Sequence, residues 1–169
     1  MNSTVLINIL RFLALLAVQV VVCNKISLFG FLVPYPYILY ILLYPVNGNK
    51  AVLLISAFFL GLFIDMYLNT GGPHSVACVV LAYMRPTFFK FSFGVSYEYQ
   101  TIKINDRLSP ERLSFIFICV VLHHLILFLL EMFRFSLILD ALLHTLYTTI
   151  FTLIICVITI YLIKPAKQL

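Results

Sequence analysis

The sequence is poor in charged residues. Only 10% of its 169 residues are charged and 63% are hydrophobic, whereas a soluble domain is usually about 25% charged. This composition excludes an ordinary soluble domain and indicates an integral membrane protein. At about 20 residues for each spanning helix, six helices would use most of the chain and leave no room for a soluble domain of ordinary size. The net charge of +5 does not indicate nucleic acid binding, because the basic residues flank apolar runs, as in cytoplasmic loops of membrane proteins.

Several motifs that carry chemistry are also absent. The sequence has no hydrolase elbow, no metal triad and no phosphate-binding loop. The cysteines are far apart and form no C-x-x-C pair, so they indicate neither a zinc site nor a redox pair; they are Cys23, Cys78, Cys119 and Cys156. We therefore predict a protein that is not an enzyme, with no catalytic, cofactor-binding or metal-binding residues.

The hydrophobic runs predict an all-α polytopic membrane protein with a single domain, residues 1–169. About six transmembrane helices are expected, over residues 4–22, 29–45, 50–68, 73–86, 110–132 and 136–163. The second of these contains Pro34, Pro36 and Pro45. Because proline removes a backbone donor and kinks helices, a broken or re-entrant segment is the alternative at this position.

A polar loop over residues 87–109 separates the fourth and fifth predicted helices. Its first part alternates between apolar and polar side chains from Phe89 to Gln100, which is typical of a strand, and a small β-hairpin is the expectation here. Lys90, Glu98 and Lys103 would then face water and form a candidate contact for a cytoplasmic partner. A strand that only closes the inner mouth of the bundle is the alternative.

The basic residues predict the orientation of the chain. With six spans, one side holds eight of them, namely Lys50, Arg85, Lys90, Lys103, Arg107, Arg112, Lys164 and Lys167. The other side holds Lys25 and Arg134, and Arg11 lies within the first span. Because basic residues concentrate in cytoplasmic loops, both termini are expected in the cytoplasm.

The most informative stretch joins the third and fourth predicted helices. Ala57, Gly61 and Asp65 recur every four residues and share one helix face, where small residues allow close packing and a charge is costly in lipid. A tight turn, Gly71-Gly72-Pro73, follows, and the next helix is expected to end at Tyr83-Met84-Arg85-Pro86. We interpret the pair as an antiparallel hairpin with a polar group at each end, and as a candidate packing or partner motif. The alternative is that Asp65 is an interfacial turn residue and Arg85 a cytoplasmic flank.

A second set of polar residues lies on the last predicted helix. Asp140, His144, Thr148 and Thr152 recur every four residues and are expected to face the bundle interior, since lipid offers no hydrogen bonds. Together with Asp65 and His123, the side chains of Asp140 and His144 would allow a proton path. The alternative, which we favour, is that Asp140 and His144 pair near the outer interface while the threonines bond to neighbouring helices or to their own backbone.

The pattern G-x-x-x-D, then G-G, then A-Y-x-R-P, in residues 61–86, resembles MreD, the rod shape-determining membrane protein of the bacterial elongation machinery. Six spans in about 170 residues without outer domains fit the same family. The resemblance implies a noncatalytic scaffold in the bacterial inner membrane. Its partners would be the single-span protein MreC, the glycosyltransferase and transpeptidase of lateral peptidoglycan synthesis, MreB filaments and membrane lipid, and no nucleic acid.

The same resemblance implies kinship in fold with the six-helix substrate-binding subunits of vitamin transporters. A small-molecule binding subunit is therefore the alternative function. Its first helix would need small residues for docking, and here that helix has Ala14 and Ala17 among mostly Leu and Val, with Arg11. A proton-coupled enzyme or carrier that uses the Asp and His set is a third class.

Overall fold

The computed structural model describes residues 3–27, 32–94 and 109–163. Of these residues, 84% are helical and none forms a strand. Five helices within these ranges are long and apolar enough to cross a membrane: Val5–Lys25, Lys50–Leu68, Pro73–Phe93, Pro110–Glu131 and Ile138–Leu162. The chain is therefore an α-helical, multi-pass, membrane-embedded protein.

The first helix, α1, is regular over Ser3–Ala17 and continues through a π-helical turn, Val18–Val22, and a 3₁₀ turn, Cys23–Lys25. Only 11% of its most apolar window is buried inside the protein, against 33–44% for the other four long helices. Helix α1 therefore lies at the periphery, with most of its apolar surface facing outward.

The other four long helices form three successive antiparallel pairs. Helix α3 covers Lys50–Leu68, α4 Pro73–Phe93, α5 Pro110–Glu131 and α6 Ile138–Leu162, and each packs against the next. The turn between α3 and α4 uses left-handed backbone at Asn69, Gly71 and Gly72, where glycine has no steric penalty. The start of α5 is capped, since the Ser109 side chain accepts a hydrogen bond from the Arg112 backbone nitrogen.

Residues 32–49, which we call the return segment, run back against both α1 and α3. Along α1, Arg11 contacts Leu43 and Gln19 contacts Pro34. Along α3, the Tyr40 hydroxyl donates to Ser56 Oγ at 2.8 Å, and the Tyr44 hydroxyl donates to the Asn49 carbonyl that precedes α3. Helices α1 and α3 therefore run in the same direction, and the chain between them returns along the bundle.

The return segment differs from the spanning helix predicted over residues 29–45. Its helical part consists of a 3₁₀ turn, Pro36–Ile38, and one turn of α-helix, Leu39–Leu42, which is α2; residues 29–31 lie outside the described ranges. The alternative of a broken segment is the better account, because the prolines interrupt the helix. Residues 37–42 are buried, most of them completely, so this short piece forms the centre of the bundle.

Helix α4 corrects two predictions about the region after Arg85. It passes through Pro86 to Phe93, so residues 89–93 are helical and not part of a strand. The rings of Phe89 and Phe93, one turn apart, both contact Phe115 of α5, with ring centroids 4.2 and 6.1 Å away. This packing offsets the cost of proline inside a helix, which is about 3 kcal/mol. The rest of the predicted hairpin, residues 95–108, lies outside the described ranges.

Candidate functional site

Asp65, at the end of α3, is buried and caps the start of α4. Its Oδ1 accepts hydrogen bonds from the Thr70 hydroxyl at 2.6 Å, the His74 backbone nitrogen at 3.1 Å and His74 Nδ1 at 2.9 Å. Its Oδ2 accepts from the Ser75 backbone nitrogen at 2.8 Å and the Ser75 hydroxyl at 2.6 Å. The carboxylate thus satisfies two backbone donors that a helix start leaves unpaired and lies at the positive end of the α4 dipole. Its own burial is compensated within the hairpin.

Gly61 lies at a close approach of α3 and α4. A Cβ atom at this position would lie 2.5 Å from the Ser75 nitrogen and 2.6 Å from the His74 carbonyl carbon, closer than real Cβ contacts. One turn earlier on the same face, Ala57 is fully buried, and Cys78 and Ala82 are buried on α4. The structure therefore packs the predicted small-residue face of α3 against α4 in an antiparallel hairpin. Among the remaining motif residues, Pro73 is buried at the first position of α4, Tyr83 is 72% exposed, and Pro86 is inside the helix.

Arg85 is buried and holds the end of the return segment. Its Nη2 donates to the Leu42 carbonyl at 3.4 Å and to the Tyr44 carbonyl, and its guanidinium carbon lies 4.7 Å from the centroid of the Phe89 ring. Arg11 of α1 donates from Nη1 to the neighbouring Leu43 carbonyl at 2.8 Å. Both arginines thus bind carbonyls at the C-terminal end of α2, which helix geometry leaves unpaired and which carry partial negative charge.

The beginning of the return segment is held by α1 and α6. Gln19 Nε2 donates to the Pro34 carbonyl at 3.2 Å, and the Tyr35 backbone nitrogen donates to Thr152 Oγ1 at 3.1 Å. His124 Nδ1 donates to the Val120 carbonyl at 2.8 Å, so its Nε2 is the acceptor for the Thr152 hydroxyl, 3.3 Å away. Backbone outside regular helices is tolerated at membrane depth only where other groups satisfy it, and these side chains do so.

A second histidine lies beside this contact. His123 Nε2 is 3.0 Å from the Tyr37 hydroxyl and 3.8 Å from Cys78 Sγ, and the Tyr37 ring also lies near His74, with ring centroids 6.3 Å apart. Nδ1 of His123 and Nε2 of His74 are buried and have no hydrogen-bond partner among the residues that the structure describes. Within the described ranges, no three His, Cys, Asp or Glu residues are grouped closely enough to hold a metal ion. The arrangement instead links the return segment to α4 and α5.

The four polar residues predicted to form a stripe on α6 differ in burial. Thr148 and Thr152 are buried, but Asp140 is exposed and His144 is only partly buried, with its ring 5.6 Å from that of Phe128. The expectation that all of them face the interior is wrong for Asp140, because the interior face of α6 follows the helical period of 3.6 and not a strict step of four. Asp140 therefore lies on the exposed face of α6, whereas Asp65 and His123 are buried.

Sequence reasoning missed several buried polar residues on α6 and α1, and the backbone contact of Tyr35. Thr145 and Thr149 are buried on α6, and Gln19 is fully buried on α1. The spacing 141, 145, 148, 149 and 152 follows a helical face and was the available signal for α6. For Gln19 and Tyr35 no local pattern was available, since their partners are distant in sequence.

Of the three residues predicted to form a cytoplasmic contact, one lies within the described ranges. Lys90 is exposed on α4, in helix and not in a strand, whereas Glu98 and Lys103 lie outside the described residues.

Asp65 thus caps α4, and Arg85 and Thr152 bind the backbone of the return segment, whereas His123 contacts side chains of the return segment and α4. Comparison of the chain with protein-family models, with curated proteins and with solved structures finds no match.

Proposed function

We propose that this protein is a noncatalytic membrane scaffold of the MreD type, which belongs to the bacterial machinery of rod-shaped growth. The observation that carries the proposal is the role of the charged residues inside the bundle. Asp65 is engaged in capping α4, and Arg11 and Arg85 in holding the return segment. A buried charge in a transporter or pump is expected to face a substrate or ion pathway, whereas these charges stabilise a fixed frame.

The residues that carry the resemblance to MreD belong to that frame. Gly61 and Asp65 join α3 to α4, and Arg85 joins α4 to the return segment. The motif of residues 61–86 therefore holds α3, α4 and the return segment together. This gives the motif a physical role that suits a scaffold.

A scaffold also needs surface for partners. Helix α1 exposes a long apolar face, which includes Leu6, Leu10, Leu13 and Val21. Helices associate in membranes by close packing and not by exclusion of water, so this face is available to lipid or to the spanning helix of an MreC-type protein. In the proposal the protein lies in the bacterial inner membrane with both termini in the cytoplasm, and positions the enzymes of lateral wall synthesis relative to MreB filaments.

Depletion in the native cells, combined with co-purification, tests the proposal. Depletion should convert rods into round cells, and tagged full-length protein, crosslinked in cells and extracted in mild detergent, should carry the MreC-type protein and the wall-synthesis transpeptidase. Rod growth that persists after depletion, with neither partner recovered, would refute it. A vitamin-sized molecule retained one to one in the purified protein, together with unchanged cell shape, would instead support the binding subunit.

The variant Asp65→Leu is a poor discriminator between the candidate functions. All the hydrogen bonds of this carboxylate described above are made within its own hairpin, so loss of the rod shape of the cells is expected to come with loss of folded protein.

Replacement of Lys90, Glu98 and Lys103 by alanine is the better variant for the cytoplasmic side. If this region contacts a cytoplasmic partner, the triple variant should accumulate normally yet lose crosslinks to that partner; unchanged crosslinks would contradict the contact.

A further inference from the structure

A narrow groove of about 230 Å³ lies between the first half of α1 and the first half of α3. Asn8 and Phe12 line it on α1, and Tyr40 and Tyr44 of the return segment line its buried side. It opens between apolar side chains that are exposed on the bundle surface: Val5, Ile9, Leu13 and Val52. Because α1 and α3 are both spanning helices, this opening faces the hydrocarbon region of the membrane. The scaffold proposal assigns the groove no role.

Asn8 brings an amide group into the groove that the bundle itself leaves unused. Its neighbours in the sequence are exposed, but Asn8 is half-buried because it shares the inward face of α1 with Phe12, Leu15 and Gln19. No hydrogen bond joins its side chain to any other residue that the structure describes. Lipid tails offer no hydrogen bonds either, so this amide favours a ligand that supplies a donor and an acceptor.

Three hydroxyl-bearing residues of the groove can accept further hydrogen bonds but not donate them. The Tyr40 hydroxyl donates to Ser56 Oγ at 2.8 Å, and Ser56 Oγ donates to the Leu53 carbonyl at 3.0 Å. The Tyr44 hydroxyl donates to the Asn49 carbonyl at 3.2 Å. Since a hydroxyl group has one hydrogen and two lone pairs, each oxygen keeps acceptor capacity while its hydrogen is engaged. The groove therefore favours a ligand with a hydrogen-bond donor.

The depth and the composition of the groove favour an uncharged ligand. None of the described residues that line it is charged. Asn8 lies three residues inside the spanning helix Val5–Lys25, and Ser56 lies six residues inside Lys50–Leu68. At a rise of about 1.5 Å per residue, these depths are about 5 and 9 Å. An unpaired charge is costly inside the membrane, whereas an uncharged hydroxyl loses only hydrogen bonds that the groove can replace.

The size of the groove favours a lipid over the spanning helix of a partner. A helix is about 10–12 Å across, so a volume of about 230 Å³ corresponds to only about 2–3 Å of its length. The same volume holds about eight non-hydrogen atoms, if each takes the share of about 30 Å³ that a water molecule has in the liquid. The glycerol and ester region of a lipid has about this size, and its acyl chains can leave between Val5, Ile9 and Val52.

The geometry points to a binding site for a neutral glycerolipid with a free hydroxyl group, namely diacylglycerol. The lipid hydroxyl donates to the oxygen of Tyr40 or Ser56, and the Asn8 amide donates to an ester carbonyl. This site does not depend on the scaffold function, and each can fail without the other.

Crosslinking of a photoactivatable diacylglycerol tests the site. The probe carries a diazirine in one acyl chain, and the full-length protein is reconstituted with it in phosphatidylcholine vesicles. Mass spectrometry should map the label to α1 and α3, and unlabelled diacylglycerol should compete for it. The methyl ether of diacylglycerol keeps both esters and loses only the donor, so it should compete about two- to tenfold more weakly. Phosphatidylglycerol should compete no better than phosphatidylcholine.

Variants of Asn8 test whether the groove holds the lipid. Asn8→Leu removes the unused amide and should reduce labelling about two- to tenfold, because an ester carbonyl loses its donor. Asn8→Leu combined with Leu10→Asn is the matched control: it keeps the composition of α1 but moves the amide to an exposed position, so labelling should stay as low as in Asn8→Leu. Wild-type labelling in either variant would overturn the proposal. Competition by the methyl ether or by phosphatidylglycerol that equals competition by diacylglycerol would also overturn it.

Discussion

Replacement of Gly61 by alanine should separate α3 from α4. The added Cβ would lie 2.5 Å from the Ser75 nitrogen, and ordinary contact begins at 3.4 Å, so the helices must move apart by about 0.9 Å. Because the neighbours within reach are backbone atoms of α4, no side-chain rotation relieves the contact. The same movement lengthens the bonds from the His74 and Ser75 backbone nitrogens to Asp65, now 3.1 and 2.8 Å.

The cost combines overpacking with weakened capping. Overpacking of a well-packed core costs about 1–3 kcal/mol, and a hydrogen bond to a charged group contributes about 1.5–3 kcal/mol. We therefore expect Gly61→Ala to lower the free energy of unfolding by about 2–5 kcal/mol, and Gly61→Val to lower it further. For a chain of this size that corresponds to a fall in Tm of at least about 5 °C.

Thermal unfolding in detergent with a thiol-reactive dye measures this effect. The four cysteines are free and buried, so they react only when the bundle opens. Gly71 provides the matched control: its φ is +79° and an added Cβ would have no atom within 4 Å, so substitution there costs only left-handed strain, about 1–2 kcal/mol. The loss in free energy of unfolding should increase from alanine to valine much more steeply at Gly61 than at Gly71. A Gly61→Val protein that unfolds at the wild-type temperature would refute the close approach.

Three further predictions concern the return segment and the orientation. Thr152→Val removes the hydrogen bonds of Thr152 to Tyr35 and His124 and should destabilise the protein by about 1–3 kcal/mol in the same dye assay. Thr159→Val, whose hydroxyl donates to the Ile155 carbonyl of its own helix, should change little, and equal effects would contradict the role of Thr152. Arg85→Gln should increase backbone hydrogen exchange of residues 36–42, measured by mass spectrometry, because their anchor at the C-terminal end of α2 is weakened; unchanged exchange would contradict that anchor. A reporter enzyme that is active only in the periplasm should be active when it is inserted after Gly71, if the basic residues set the orientation. Activity of a reporter that works only in the cytoplasm, inserted at the same position, would reverse the predicted orientation.

Local pattern alone was sufficient for several elements. The helix predicted over residues 50–68 is α3, Lys50–Leu68, because an uninterrupted apolar run lies between an Asn cap and a left-handed turn. The start of α5 at Pro110 likewise follows from a serine cap and a first-turn proline. Ala57, Gly61 and Asp65 lie on one face of α3 because residues four apart in a helix share a face. Their spacing in the sequence was therefore enough to predict it.

Contacts between residues far apart in the chain decided the rest. Pro86 predicts a helix end from its own chemistry, but packing of Phe89 on Phe115 keeps α4 helical beyond it. The prolines of the return segment predict an interrupted helix, yet the burial of that segment depends on Arg11 and Arg85, which meet it across more than 30 residues of sequence. The sequence by itself determined that the chain is an α-helical membrane protein and where most of its long helices lie, because hydrophobic period and capping are local. Only the tertiary structure decided which polar residues are buried and what they bind, because the unpaired backbone groups of an interrupted segment are satisfied by whichever helices the fold places beside it.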